Sequence, residues 1–408
     1  MQRRAFFKVA AATPLAAAAQ NPSPRSGMKI TRVRYYAGAG DAAMRQSKVP
    51  GLFNQSTNVV VVETDAGISG IGEGGAKDTM EQSAAAIIGM DPFRTEHIWQ
   101  TLYRGYFYPP GREKLHAIGA LDMALWDIKA KALGVPLYQM IGGLARDHVE
   151  CYATAYPDKG GIKPSAAACV AEGYRAYRFH PADGVPYDRF DAVKRTYEMC
   201  RDAREGAGKD GGWAIDFHTR FDFPDAVRLC QMIENLGAYF VEDLVRSENP
   251  EVYRTLRPQV KAPIAVGEQF GDRWDINTLV EGHLIDYCRA TVPNVGGVTE
   301  FLKIAALCET HYVGLIPHFT GPISEAVLVH LCAAFSGPVL MEMLPRATRG
   351  VPYLPKCFDF REGKLWPNQR PGLGVEFDAS KLTLLAEVSE RTQPMPVYRR
   401  PDGSVTNW

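Results

Sequence analysis

Three carboxylates recur at equal intervals in the sequence: Asp216, Glu242 and Glu268, each 26 residues after the one before. Each closes a short apolar run, Trp213-Ala214-Ile215, Tyr239-Phe240-Val241 and Ile264-Ala265-Val266-Gly267. A β-strand, a helix and two loops take roughly 25 residues, so one βα unit fits each interval. The spacing therefore predicts three acids at the same end of three adjacent parallel strands. Converging carboxylates repel one another unless a cation sits among them, and hard oxygen ligands with room for water suit Mg2+. A single acid at a strand end would do no more than favour the start of the next helix, but three in step point to metal chemistry. Asp243 follows Glu242 directly and, by strand alternation, is expected to face the other way. His218 lies two residues after Asp216, in Asp216-Phe217-His218-Thr219-Arg220, and is expected to share its face.

The elements that position these acids follow from the hydrophobic pattern. Residues 28–62 alternate as strands, with a polar loop at roughly 37–57, and predict a small antiparallel sheet. Residues 77–104 carry helical periodicity broken at Asp91-Pro92, residues 105–112 read as a loop, and a long helix is expected from about His116 to Leu133, ended by Gly134 and Pro136. From about residue 148, apolar runs alternate with helices. Strands are expected near 149–155, 175–180, 213–217, 238–242, 263–267, 286–291, 313–317 and 338–342, the pattern of a parallel α/β barrel whose chemistry sits at the C-terminal strand ends. At 408 residues the chain suits two domains. Equal numbers of basic and acidic residues give no formal charge and no basic stripe for nucleic acid, and no stretch is apolar for long enough to span a bilayer.

The N-terminus reads as an export signal. Arg3-Arg4-Ala5-Phe6-Phe7-Lys8 precedes a short apolar stretch and the alanines Ala16 to Ala19, which resembles a twin-arginine signal at residues 1–19 and predicts a periplasmic protein, with no membrane association after cleavage. Residues 20–27 form a short linker. The eight cysteines are scattered, without CxxC pairs or zinc spacing, and several sit where free cysteine serves as a small hydrophobe.

The helix Ala120-Leu121-Asp122-Met123-Ala124-Leu125-Trp126-Asp127-Ile128, with Gly134-Val135-Pro136, Gly142-Gly143 and the closing Pro371-Gly372-Leu373-Gly374-Val375, resembles the signature of the mandelate racemase/muconate lactonizing enzyme group of the enolase superfamily. The resemblance runs from about residue 28 to the end. It implies a modified (β/α)7β TIM barrel over residues 148–345, an α+β capping domain over 28–147, a C-terminal segment at 346–408 folding back on the cap, and one Mg2+ held by Asp216, Glu242 and Glu268.

The same resemblance, strongest toward galactonate dehydratase-like members, assigns further roles. His218 would be the general acid that protonates a departing hydroxyl. His318 would be the base that removes the proton beside a carboxylate, work suited to a neutral imidazole. Glu342 would hydrogen-bond the developing charge from the side away from the metal, which calls for a protonated carboxyl in an apolar site. Thr291 stands where an aspartate usually orients the base; threonine can hydrogen-bond a ring nitrogen but cannot stabilise an imidazolium by charge. In Tyr177-Arg178-Phe179-His180, where a Lys-x-Lys pair is usual, Arg178 is a poor base but suits a substrate carboxylate, and His180 is an alternative base or donor. Arg220 is a further candidate substrate contact. Cap residues Arg45, Gln46, Ser47, Lys48 and Asn54, and the aromatic loop Tyr106-Phe107-Tyr108, suit a cover over the site. The expectation is a Mg2+-dependent dehydratase of a sugar-derived acid, a homo-oligomer with a small carboxylate substrate. A racemase or epimerase using His180 and His318, and a non-catalytic periplasmic acid-sugar-binding homologue, are the alternatives.

Overall fold

The structure, a computed structural model, describes residues 27–38, 57–105, 107–181, 189–319, 321–345, 350–356, 359–392 and 397–406. The expected export signal at residues 1–19, the cap residues Arg45, Gln46, Ser47, Lys48 and Asn54, Tyr106 and Cys357 lie outside the described residues. The seven described cysteines are buried and free. Among the described residues no helix is long and apolar enough to cross a membrane.

The N-terminal strands β1 (Ile30–Ala37), β2 (Val59–Thr64) and β3 (Ser69–Glu73) form an antiparallel sheet. Helices α1 (Lys77–Ile87), α2 (Thr95–Arg104) and α3 (Gly111–Leu133) pack against it. The barrel strands are β4 (Val149–Ala153), β5 (Ala176–Phe179), β6 (Gly212–Asp216), β7 (Val241–Glu242), β8 (Ile264–Val266), β9 (Tyr287–Cys288), β10 (Gly314–Leu315) and β11 (Met341–Met343). They pair in parallel in chain order. A bridge between Leu315 and Val339 and the pairing of β11 with β4 close the ring. A short helix α4 (Leu137–Met140) precedes the barrel. The connecting helices are α5 (Ile162–Ala171), α6 (Arg189–Ala207), α7 (Phe223–Met232), α8 (Val252–Leu256), α9 (Arg273–Glu281), α10 (Val292–Val295) with α11 (Val298–Thr310), and α12 (Pro322–Ala334). This is the (β/α)7β barrel with an α+β cap that the sequence predicts, and all eight expected strand regions carry a strand. Beyond the barrel, a hairpin of β12 (Asp359–Arg361) and β13 (Lys364–Trp366) lies along β4. The strand β14 (Thr383–Val388) pairs with β1 at the edge of the cap sheet.

Helix α3 begins at Gly111, five residues before the sequence predicts, because Pro110 takes the N-cap position, where a proline costs nothing. It ends as predicted, with Gly134 in the left-handed region (φ +71) returning its N–H to Lys131. Most of α3 is buried, on every face, because it lies between the cap sheet and α10. Gly119 permits that approach: a Cβ there would stand 2.1 Å from the Pro293 carbonyl oxygen. Polar residues tie the layers together. Asp127 accepts the N–H groups of Ile71 (3.1 Å) and Leu373 (2.9 Å) and pairs with Lys131 (2.7 Å). Glu73, at the end of β3, accepts the Ile323 N–H (3.2 Å), so the cap supplies a carboxylate to the first turn of barrel helix α12.

Asp122 joins α3 to α11 by accepting the Thr299 N–H (2.8 Å) and hydroxyl (2.6 Å). Burial pushes its carboxyl up to about 7, against the Thr299 hydrogen bonds that pull it down. A folded-state value raised above the unfolded one contributes stability at low pH that is lost as pH rises through about 7. Asp122→Asn, which does not ionise, should therefore be less destabilising at pH 8 than at pH 5, by about 2–3 kcal/mol. Denaturant midpoints at the two pH values measure this, and a pH-independent cost would contradict it.

Candidate active site

The barrel register sets the acids side by side. Asp216, the last residue of β6, pairs directly with Glu242, the last residue of β7, and Glu242 pairs with Ala265 of β8, three residues before Glu268. Asp216 and Glu242 are buried, and the Glu268 side chain keeps 13 % of its surface exposed at the barrel mouth. Asp243 does not follow the alternation expected of it. Strand β7 is only two residues long, and Asp243 already lies in the left-handed region (φ +42). Its carboxylate therefore turns inward, and oxygens of Asp216, Glu242 and Asp243 lie within 4.8 Å of one another.

Two buried guanidiniums answer these charges. Arg178, on β5, contacts Asp216 at 2.5 Å and Glu242 at 3.0 Å, approaches Glu342 at 3.8 Å and donates to the Thr154 hydroxyl (2.7 Å). Arg178 was expected to take a substrate carboxylate; here its guanidinium is committed to the protein's own acids. Arg289, one residue past β9, bonds Glu342 at 2.7 Å, approaches Glu268 at 3.4 Å, donates to the Tyr152 hydroxyl and the Ile316 carbonyl, and lies 2.5 Å from Glu242. This last contact lacks hydrogen-bond geometry, so Glu242 Oε1, like Asp243 Oδ2, has no hydrogen-bond donor.

Burial pushes Glu242 well above the ordinary carboxylate range even though Arg178 and Arg289 oppose it. Burial also raises Asp243, reinforced by the charges of Glu268 and Asp216, and Asp216 is raised for the same first reason. Glu268 and Glu342 go the other way. Burial raises both, but neighbouring positive charge outweighs it and holds them low. The site around Glu342 is thus cationic rather than apolar, and the neutral carboxyl expected there is not what these surroundings favour. Burial depresses the His318 imidazole below its usual 6.5, against Glu268 and Glu342. A neutral His318 cannot be what keeps Glu268 ionised at pH 7, so that work falls to the two guanidiniums. A cluster of acids with raised proton affinity and oxygens lacking donors fits a hard divalent cation.

His318 lies in the loop after β10, with Nε2 3.6 Å from Glu268 and Nδ1 3.1 Å from the Thr291 hydroxyl. Threonine thus meets the ring nitrogen as the sequence predicts. His218 is not carried by strand alternation, because β6 ends at Asp216 and both His218 and Thr219 have positive φ (+50 and +55). Its N–H donates to Asp216 (2.6 Å), and its ring, exposed at the barrel mouth, sits 6.2 Å from that of His180. His180 Nδ1 lies 2.9 Å from the Pro181 carbonyl and 3.1 Å from an Arg220 guanidinium nitrogen, and Arg220 also donates to that carbonyl. Arg220 therefore braces the His180 loop. Sequence reasoning missed Asp243 and Arg289 as members of the cluster. Arg289 was legible: it stands two residues before Thr291, the spacing that shares a face.

Between cap and barrel, a cavity of about 360 Å³ opens onto Glu268 and His318. Arg112 and His116 of α3 face Ser247, Gln269 and Asn294 across it. Arg112 is fully engaged, with Asp275 (2.8 Å), the Ser247 hydroxyl (2.7 Å) and the Gln269 carbonyl (2.9 Å).

Known proteins resemble this chain in sequence and in fold. Residues 162–381 match the enolase C-terminal domain-like family, and residues 46–142 match the mandelate racemase/muconate lactonizing enzyme N-terminal domain. The chain is 32% identical over 386 residues to a D-mannonate dehydratase of Caulobacter sp. (strain K31), covering 85% of this chain and 94% of that protein. It is 34% identical over 370 residues to the D-galactonate dehydratase of Pectobacterium atrosepticum, covering 85% and 95%. A crystal structure of an enolase superfamily member from Salmonella Typhimurium superposes with a TM-score of 0.78 at 27% identity, over 88% of this chain and all of that one. An enolase from Pantoea ananatis with bound D-gluconate and Mg superposes at 0.76 with 26% identity, over 93% and 99%. With these domain matches spanning cap and barrel, the chain belongs to the enolase superfamily, in its mandelate racemase/muconate lactonizing enzyme group.

Proposed function

We propose that the chain is a Mg2+-dependent dehydratase of a sugar-derived acid, releasing water to leave a 2-keto-3-deoxy acid. One observation carries the reading: the carboxylate set converges at one barrel mouth with His318 beside Glu268 and His218 beside Asp216. The relatives' activities on mannonate and galactonate support the same class. Asp216, Glu242 and Glu268 would hold the ion, with Asp243 lining the same space, and bound Mg2+ would supply a Lewis acid for the substrate carboxylate.

The rest of the chemistry falls to side chains. His318, kept neutral by burial and turned by Thr291, takes the proton next to the carboxylate. Arg178 and Arg289 fix the acids around the charge that develops on the substrate. His218, at the exposed rim, gives a proton to the departing hydroxyl. His180, 6.2 Å from the His218 ring, stands by as an alternative base or donor. In the cavity above, Arg112 is answered by Asp275 and Arg246 by Glu248 (2.6 Å), which leaves mainly uncharged donors and acceptors such as Ser247, Gln269 and Asn294. That lining supports a hydroxyl-rich, uncharged tail on the substrate.

A panel of aldonic, aldaric and uronic acids, assayed for 2-keto-3-deoxy product with Mg2+ and with chelator, tests the reading. Turnover should require Mg2+. His218→Asn should cut dehydration on the order of 10²-fold or more while exchange of the α-proton with deuterated water persists. Exchange without loss of hydroxyl in the unaltered protein would instead favour the epimerase.

Because Glu242 and Asp243 hold protons more tightly than ordinary carboxylates, binding Mg2+ at pH 7 should release protons. Calorimetry in two buffers of different ionisation heat reads this directly, and binding with no proton exchange would contradict it.

Thr291→Asp should place a negative charge beside His318 and raise its pKa by about one unit or more. A base must be deprotonated to act, so the acid limb of the kcat/KM profile should move to higher pH by that amount. An unmoved limb would remove His318 from the role of base.

A further inference from the structure

At the opposite end of the barrel from the carboxylates, two histidines meet. Helix α9 ends at Glu281 and α11 at Thr310, and each is followed by a turn into a neighbouring parallel strand, β9 or β10. His283 stands in the first turn and His311 in the second, one position apart in the register of adjacent βα units. Their ring centroids are 5.7 Å apart with planes at 54°. His283 holds a left-handed backbone (φ +48), as does Tyr312 (φ +58), so both turns are sharply bent. The rings border a cavity of about 490 Å³ whose wall includes Asp286, Tyr287, Tyr312 and Pro338.

The chemistry of the pair is that of metal ligands. His311 Nδ1 lies 2.8 Å from the Leu307 carbonyl, which can only accept and so favours the proton on Nδ1 and the lone pair on Nε2, with the Thr310 hydroxyl 3.0 Å away. Metal-binding histidines are oriented this way, by a carbonyl or carboxylate on the other ring nitrogen. Two imidazoles bound to one ion at about 2.0–2.1 Å place their centroids roughly 4.5–5.5 Å apart, close to the 5.7 Å observed. The cation nearest the pocket, Arg257, is answered by Asp286 at 2.8 and 3.3 Å. Imidazole nitrogens select borderline ions such as Cu2+, Ni2+ and Zn2+ over Mg2+, which prefers oxygen. We propose that His283 and His311 form a two-histidine site for a divalent transition-metal ion at the N-terminal mouth of β9 and β10, separate from the carboxylate site.

The test is Cu2+ titration of the full-length protein in saturating Mg2+, followed by electron paramagnetic resonance. One equivalent should bind with two coordinated imidazole nitrogens. His283→Asn, chosen because asparagine tolerates the left-handed backbone, and His311→Gln should each lower the affinity at least as much as loss of an outer-shell partner does, about ten- to a hundred-fold. The thermal midpoint and Mg2+-dependent turnover should be unchanged in both variants. Absence of a two-nitrogen signal in the unaltered protein, or its survival in the double variant, would overturn the proposal.

Discussion

The barrel mouth carries more buried negative charge than the chain itself can neutralise. Asp216, Glu242, Asp243, Glu268 and Glu342 meet there, and among the described residues Arg178 and Arg289 bring permanent positive charge among them. Carboxylates removed from water need partners or protons. The two guanidiniums are enough to keep Glu268 and Glu342 ionised, while Glu242 and Asp243 tend toward protonation. The surrounding architecture holds the acids close despite their repulsion. Direct pairing of Asp216 with Glu242 in the parallel ladder does most of this, since backbone hydrogen bonds resist what the side chains alone would not.

The cap completes what the barrel begins. Helix α3 is the shared wall: one side supports the small sheet, the other meets α10, which follows the Thr291 that turns His318. Asp127 fastens β3, α3 and the Pro371–Val375 segment at one point. Glu73 reaches across to the start of α12, directly after the loop that carries His318. His318 is thus positioned from both domains, and the cavity above it is walled by both.

Much of this was legible in the sequence because the strand–helix repeat of a parallel barrel has a length. The 26-residue interval indexed the strand ends, and Thr291, His318 and Glu342 fell on later ends of the same ring. What escaped was local. The inward turn of Asp243 depends on a left-handed backbone at a two-residue strand, which no alternation rule anticipates. The place of His218 likewise depends on positive φ after a strand that has already ended. The commitment of Arg178 to the acids, rather than to substrate, follows from how many carboxylates surround it, a number known only once the strands close into a ring. The early start of α3 was hidden by Pro109-Pro110, which reads as loop but equally serves as a helix beginning.

The cap sheet has one further property. Among the described residues its outer strand, Thr383–Val388, is the last strand, while its partner Ile30–Ala37 is the first. Every barrel strand is synthesised between the two. The edge of β1 therefore stays unpaired while the ribosome makes the whole barrel, and an open strand edge invites association with other chains. Folding order is thereby constrained by topology: the barrel can close before the tail returns to its starting strand and completes the cap sheet.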